Sequence, residues 1–214
     1  MQPQRDISTL HPAFRSAVRR LQGFIAAEGL GFELYEAFRG RARQEDGFKR
    51  GKSRAHFLQS WHNYGMAADF VWKTPSGRWS WANGHPWGRL GELAKQCGLS
   101  WAGDWQSFRE LVHVQLGTGR ANAADIGPGQ TDHVDEWATW IQHVWFPNLD
   151  QSKRVDRREV ARAVQVILNY LGASLAVDGI AGPRTREAMQ ERGVVNPLDQ
   201  MGLAALVAAV KEGE

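Results

Sequence analysis

Between residues 12 and 28 apolar side chains recur at helical spacing, with Phe14, Val18, Leu21, Phe24 and Ile25 on one stripe. Pro12 suits the first turn of that helix and Gly29 its stop. The period then shortens to two: Phe32, Leu34 and Phe38 mark a strand from Phe32 to Phe38. Arg41 to Phe48 reads as a short charged helix and Gly51 to Ser60 as a polar loop. A second strand is expected over Ala67 to Trp72. Thr74 to Gly88, rich in Gly, Pro and Ser, reads as a long loop. Pro86 to Cys97 is a further helix closed by Gly98, and His113 to Leu116 a short strand ending at Gly117. Helices and short strands that do not alternate cleanly predict an α+β unit.

The pattern changes after Gly117. Gly, Asn, Ala and Pro up to Gln130 carry little hydrophobic periodicity and read as a linker. Beyond it the chain is helical. Asp132 is placed as the cap of a helix with Val134, Trp137, Ile141 and Trp145 on its apolar face. Asp156 is placed as the cap of another, with Val160, Val164, Ile167, Leu168 and Leu171. A turn follows at Asp178-Gly179, and a helix begins at Pro183. The expected domains are 1–118, a linker at 119–131, and an all-α domain at 132–214.

An apolar fraction of 43% and a charged fraction of 23% are those of a globular protein. A net charge of +3 favours anionic polymers, among them nucleic acid, lipid surfaces and the bacterial envelope. No basic-aromatic motif supports the nucleic-acid reading. The single cysteine, Cys97, excludes an internal disulfide framework and sits in an apolar stretch as a small buried hydrophobe. Leu203 to Val210 is apolar but too short to span a bilayer, so no membrane insertion is expected. The N-terminus leads into no apolar signal segment. The expectation is a monomer made in the cytoplasm, reaching any outside target by another export route or by lysis.

Two stretches carry chemistry: Ser60-Trp61-His62-Asn63-Tyr64-Gly65-Met66-Ala67-Ala68-Asp69 and Glu110-Leu111-Val112-His113-Val114. A catalytic zinc takes three protein ligands and keeps a fourth position for water. His62 just before a strand, Asp69 within it and His113 on a neighbouring strand supply two imidazoles and a carboxylate. Glu110 is placed to accept and pass a proton. Arg39 is the candidate for stabilising the oxyanion that develops on the attacked carbonyl. His11, His56, His85, His133 and His143 are read as surface or capping residues, with His85 the main rival ligand.

The first stretch resembles the Ser-x-His-x-x-Gly-x-Ala-x-Asp signature of the zinc D-alanyl-D-alanine carboxypeptidase and L-alanyl-D-glutamate endopeptidase family. Glu110-x-x-His113 is similar to its second signature. Glu36-Ala37-Phe38-Arg39, with Gln44 five residues on, resembles its Glu-Gly-Tyr-Arg-Ser-x-x-x-Gln segment. Trp101-Ala102-Gly103-Asp104-Trp105 is similar to the Trp-Gly-Gly-Asp-Trp run of the endopeptidase branch. The resemblance implies zinc held by His62, Asp69 and His113, Glu110 as general base and acid, and Arg39 on substrate or oxyanion. At matching motif positions, Gln44, Ser60, Asp104 and Trp105 are expected to contact substrate. Gly40 departs from the usual Ser, Leu111-Val112 from a more usual Pro, and Glu110 from the Asp frequent in the endopeptidase branch.

In the tail, Ala163-Val164-Gln165 and Val177-Asp178-Gly179-Ile180-Ala181-Gly182-Pro183-x-Thr185 resemble the three-helix peptidoglycan-binding domain. A zinc peptidase followed by a wall anchor resembles a phage endolysin, with peptidoglycan as the partner. Two cuts fit the site, the L-Ala–D-Glu bond and the terminal D-Ala–D-Ala bond. A different class also fits: the fold resembles the Hedgehog signalling domain, so the site could serve binding in an idle wall-binding module.

Overall fold

The computed structural model describes residues 2–118, 127, 134–150, 152–194 and 200–212. The chain forms two compact units, Met1–Ala121 and Asn122–Glu214. The fold is α+β, with the sheet in the first unit.

In that unit, α1 (Pro12–Ala27) buries Phe14, Val18, Leu21 and Ile25, as its stripe predicts. Phe24 departs from the prediction and is 41% exposed. The His11 ring accepts the Ala13 N–H at 3.3 Å, which caps the helix, and Gly29 turns the chain out of it at φ +63°. β1 (Phe32–Glu36) is shorter than expected. Its register against the next strand slips after Leu34, so that Leu34 faces Phe70 but Glu36 faces Asp69. That bulge releases Ala37 and Phe38 from the ladder. α2 (Arg41–Lys49) follows directly.

β2 (Ala67–Lys73) is the centre of an antiparallel sheet. The expected long loop after it holds a two-residue strand, β3 (Trp79–Ser80), which pairs back onto Trp72 and Lys73. A turn closed by Thr74 and Gly77, the glycine at φ +78°, makes that return possible. α3 (Trp87–Gln96) packs on α1. A second short strand absent from the sequence reading, β4 (Ser100–Trp101), pairs with β5 (His113–Gln115). The strand order is β1-β2-β5-β4, with β3 on β2.

The second unit is helical: α4 (Val134–Trp140), a π turn at Ile141–Trp145, α5 (Arg154–Tyr170), α6 (Pro183–Gln190) and α7 (Gln200–Glu212). Trp137, Ile141 and Trp145 are buried, as their stripe predicts. Asp132 and His133 lie outside the described residues, as does most of the expected linker. Asp156 does not cap α5, which starts two residues earlier at Arg154. Its buried carboxylate instead accepts the Asp150 N–H at 2.6 Å and ties the preceding loop to the first turn. The Asp178-Gly179 turn is tied to α5 through Gln165. Its amide donates to Asp178 Oδ1 at 2.8 Å and accepts the Gly179 N–H at 3.0 Å. Gly179 has φ +77°, and an added Cβ would lie 2.8 Å from Arg158 O, so only glycine fits this turn. Among the described residues no helix is long and apolar enough to cross a membrane.

Candidate active site

Register alone brings three acid-base groups into a row. Glu36 on β1 pairs with Asp69 on β2, which pairs with His113 on β5. Directly paired residues share a face, so their side chains point the same way. His62 comes from a 3₁₀ turn, Trp61–Tyr64, just before β2. Ser60 and Asn63 cap that turn reciprocally, and Gly65 closes it at φ 64°. Asn63 also donates from Nδ2 to Arg39 O at 2.7 Å, fixing the segment after β1 to the turn.

His62 Nε2 lies 3.2 Å from Asp69 Oδ1 and 3.2 Å from His113 Nδ1. His113 Nδ1 lies 3.1 Å from the same carboxylate oxygen. The outer nitrogens have carbonyl acceptors: His62 Nδ1 donates to Ala37 O at 2.9 Å, and His113 Nε2 donates to Gln115 Oε1 at 2.9 Å. Each ring thus carries its proton on the outside and turns a lone pair inward. With both rings neutral, two lone pairs and a carboxylate face one another, an arrangement that a shared cation would stabilise. Among the described residues, His62, Asp69 and His113 form a group able to hold a metal ion, its donor atoms within 4.8 Å of one another. The residues fit a metal with three protein ligands.

The charges agree. Burial opposes the Asp69 carboxylate, but His62, His113 and Arg39 together hold it well below the usual carboxylate range. Burial and the Arg39 charge push His62 down. At His113 burial is outweighed by Asp69, which raises it. Arg39, 16% exposed, donates from one terminal nitrogen to Glu36 Oε2 at 2.6 Å and to Asp69 Oδ2 at 3.1 Å. Burial opposes its charge, yet Asp69 and Glu36 raise its pKa. Arg43 pairs with the other oxygen of Glu36. Arg39 therefore holds Asp69 in place as well as facing the site.

The group opens on a cleft of about 760 Å³ that Arg39, Ser60, Trp105 and Glu110 also line. The Trp105 ring lies 5.6 Å from that of His113. Burial and the Asp69 charge push the Glu110 carboxyl up, against His113 and Arg39. The loop bearing Glu110 is fixed by Trp101, whose indole N–H donates to Leu111 O at 2.8 Å. That ring leaves no room for a Cβ at Gly91 or Gly103, where the nearest ring atoms would be 2.2 and 2.1 Å away.

Two expected substrate contacts are not brought to the cleft wall. Gln44 is fully buried behind it, donating to Ala55 O at 2.6 Å and Ser53 Oγ at 2.9 Å. Asp104 points outward and pairs with Lys95 at 3.0 Å. His85 is bound to Ser80 Oγ at 2.7 Å and stacked on Trp72, outside the candidate metal group. Sequence reasoning gave no role to Glu36, Asn63, Ala37 O or Gln115. Glu36, Ala37 and Asn63 stand inside the quoted motifs, and Gln115 lies two residues after His113 and so on the same strand face.

Residues 53–116 match the family model described as D-alanyl-D-alanine carboxypeptidase. Over 124 residues the chain is 30% identical to the peptidoglycan L-alanyl-D-glutamate endopeptidase CwlK of Bacillus subtilis (strain 168), covering 51% of this chain and 74% of that one. The chain belongs to this peptidase family. Within this family member, the matched segment contains His62, Asp69, Glu110 and His113, while Glu36 and Arg39 precede it. The L-Ala D-Glu endopeptidase ChiX of Serratia marcescens is a similar solved structure. It matches at a TM-score of 0.44 and 24% identity, over 52% of this chain and 83% of that one.

Proposed function

We propose that this peptidase is zinc-dependent and cuts the L-Ala–D-Glu bond of peptidoglycan stem peptides. The carrying observation is the convergence of His62 Nε2, His113 Nδ1 and Asp69 on one point of an open cleft that Glu110 also lines. The CwlK relative supports the choice of bond.

His62, Asp69 and His113 would hold the zinc, which would supply hydroxide near neutral pH and polarise the scissile carbonyl. Ala37 O and Gln115 keep the two imidazoles turned inward. Arg39 keeps Asp69 ionised and aimed. Glu110 takes a proton from the attacking water and returns it to the departing amine of D-Glu. An idle binding module has no use for such an acid at this position.

Residues 132–214, within the second unit, are proposed to anchor the enzyme to the wall, on the strength of the Gln165-tied Asp-Gly turn. Digestion of purified sacculi, followed by mass spectrometry of the products, tests the bond. The expected products are peptides with a new free amine on glutamate and glycan still bearing lactyl-L-alanine. Release of D-alanine alone, with sacculus turbidity unchanged, would select the D-Ala–D-Ala bond instead.

A further inference from the structure

Trp81 is 51% exposed, and among the described residues it alone of the exposed large apolar side chains lines the cleft. A large ring left in water at a site of chemistry marks a contact surface for something that binds there. The ring does not stand alone. It meets Tyr35, also on the cleft wall, at 5.3 Å with the planes at 86°. Tyr35 in turn meets Trp79 at 5.1 Å and 77°. The Arg5 guanidinium covers Trp79 at 5.0 Å and Tyr35 at 5.3 Å. Trp81 is therefore the outermost member of a cluster held in place by its neighbours. A rigid aromatic face of this kind suits a pyranose ring, which presents flat C–H surfaces and has no charge.

Position along the sheet says which sugar. Side chains alternate on β2, so Asp69, Val71 and Lys73 share the cleft face, and Val71 lines the cleft. Lys73 pairs in register with Trp79. At the usual rise per residue, Val71 and Lys73 lie about 7 and 13 Å from Asp69. In peptidoglycan the muramic ring is joined to the L-Ala carbonyl through a lactyl and an alanyl unit. Two residue-length links span about 7 Å when extended. With the glycan end of the substrate running along β2 toward Lys73, cutting L-Ala–D-Glu would bring the muramic ring within reach of the aromatic cluster. Cutting D-Ala–D-Ala would leave it five links away, about 17 Å.

We propose that Trp81, backed by Tyr35, is the subsite that stacks the muramic acid ring of the substrate's glycan, so that sugar-linked stem peptides are preferred over free ones. This rests on the L-Ala–D-Glu reading above. The test uses the full zinc-loaded chain and two soluble substrates: a disaccharide-linked stem peptide, and the same peptide without its sugar. The wild-type protein is expected to favour the first. Trp81→Ala should reduce the ratio of kcat/KM values by about five- to tenfold, the scale of one aromatic stacking contact, mainly through KM. Trp81→Phe should restore most of the preference. Zinc content and circular dichroism establish that both variants are folded. An unchanged ratio in Trp81→Ala, or a wild-type protein that cuts both substrates equally, overturns the subsite. Wild-type release of D-alanine with no cut at L-Ala–D-Glu in either substrate overturns the choice of bond, and the subsite falls with it.

Discussion

Gln115 Oε1 accepts the Nε2–H of His113 at 2.9 Å, and its own amide donates to Gly117 O at 2.7 Å. The second bond fixes which end of the amide faces the ring. Because the oxygen faces it, His113 must carry its proton on Nε2 and offer Nδ1 to the site. Gln115→Ala should therefore weaken metal binding by about 10- to 100-fold, the scale for losing the partner that orients a ligand. Competition against a chelator of known affinity measures it. Affinity within twofold of wild type would show that His113 needs no such partner.

Glu110→Gln keeps the size of the side chain and removes its proton chemistry. Zinc content and thermal stability should be retained, while hydrolysis falls by about 100-fold or more. Near wild-type turnover of sacculi would take Glu110 out of the mechanism.

The candidate metal ligands were legible because they sit in a dense local pattern and on regular elements. His62 and Asp69 are seven residues apart, and Glu110 precedes His113 by three. What periodicity could not give was the register that joins them. The slip between Leu34 and Glu36 that frees Ala37 O for His62 leaves no mark on the hydrophobic pattern. β3 and β4 are two residues each, too short for any alternation to register. Gln44 was expected on the substrate because its motif position is functional. Its buried amide binds the Ser53–Ala55 loop instead, a long-range contact invisible in one sequence. Asp156 looked like a cap because acidic residues suit both the cap and the first turn of a helix.

Two glycines of α3 should respond in opposite senses. A Cβ at Gly91 would lie 2.2 Å from the buried Trp101 ring, while at Gly88 it would meet nothing within 4 Å. Gly91→Ala should destabilise by about 1–3 kcal/mol through overpacking. It should also lower kcat, because Trp101 holds the loop bearing Glu110. Gly88→Ala should be neutral or stabilising by up to about 1 kcal/mol, the gain of alanine over glycine in a helix. Chemical denaturation of both variants checks the contrast, and equal stabilities would discredit the packing argument.

Cys97 is buried, and burial pushes its thiol up despite the nearby Arg20. The unfolded chain ionises first as pH rises, so this group's contribution to stability is lost on the alkaline side and is intact at neutral pH. Iodoacetamide at pH 8 should label the native protein far more slowly than the denatured one. Equal rates would mean that the thiol is open to solvent and ionises normally.

Every residue assigned to the chemistry lies within Met1–Ala121. A chain ending at Ala121 should therefore still cut soluble muropeptides, with kcat/KM close to that of the full chain. Insoluble wall poses a different problem. An enzyme that must find each new bond by diffusion loses the raised local concentration that a tether provides, which can amount to about 10²-fold or more. The truncated chain should accordingly clear sacculi more slowly and co-sediment with them less, while its activity on soluble substrate is retained. That divergence is the signature of anchoring. If both activities fell together, the second unit would be supporting the fold of the first. If co-sedimentation were equal for the two chains, residues 132–214 would have no part in holding the wall.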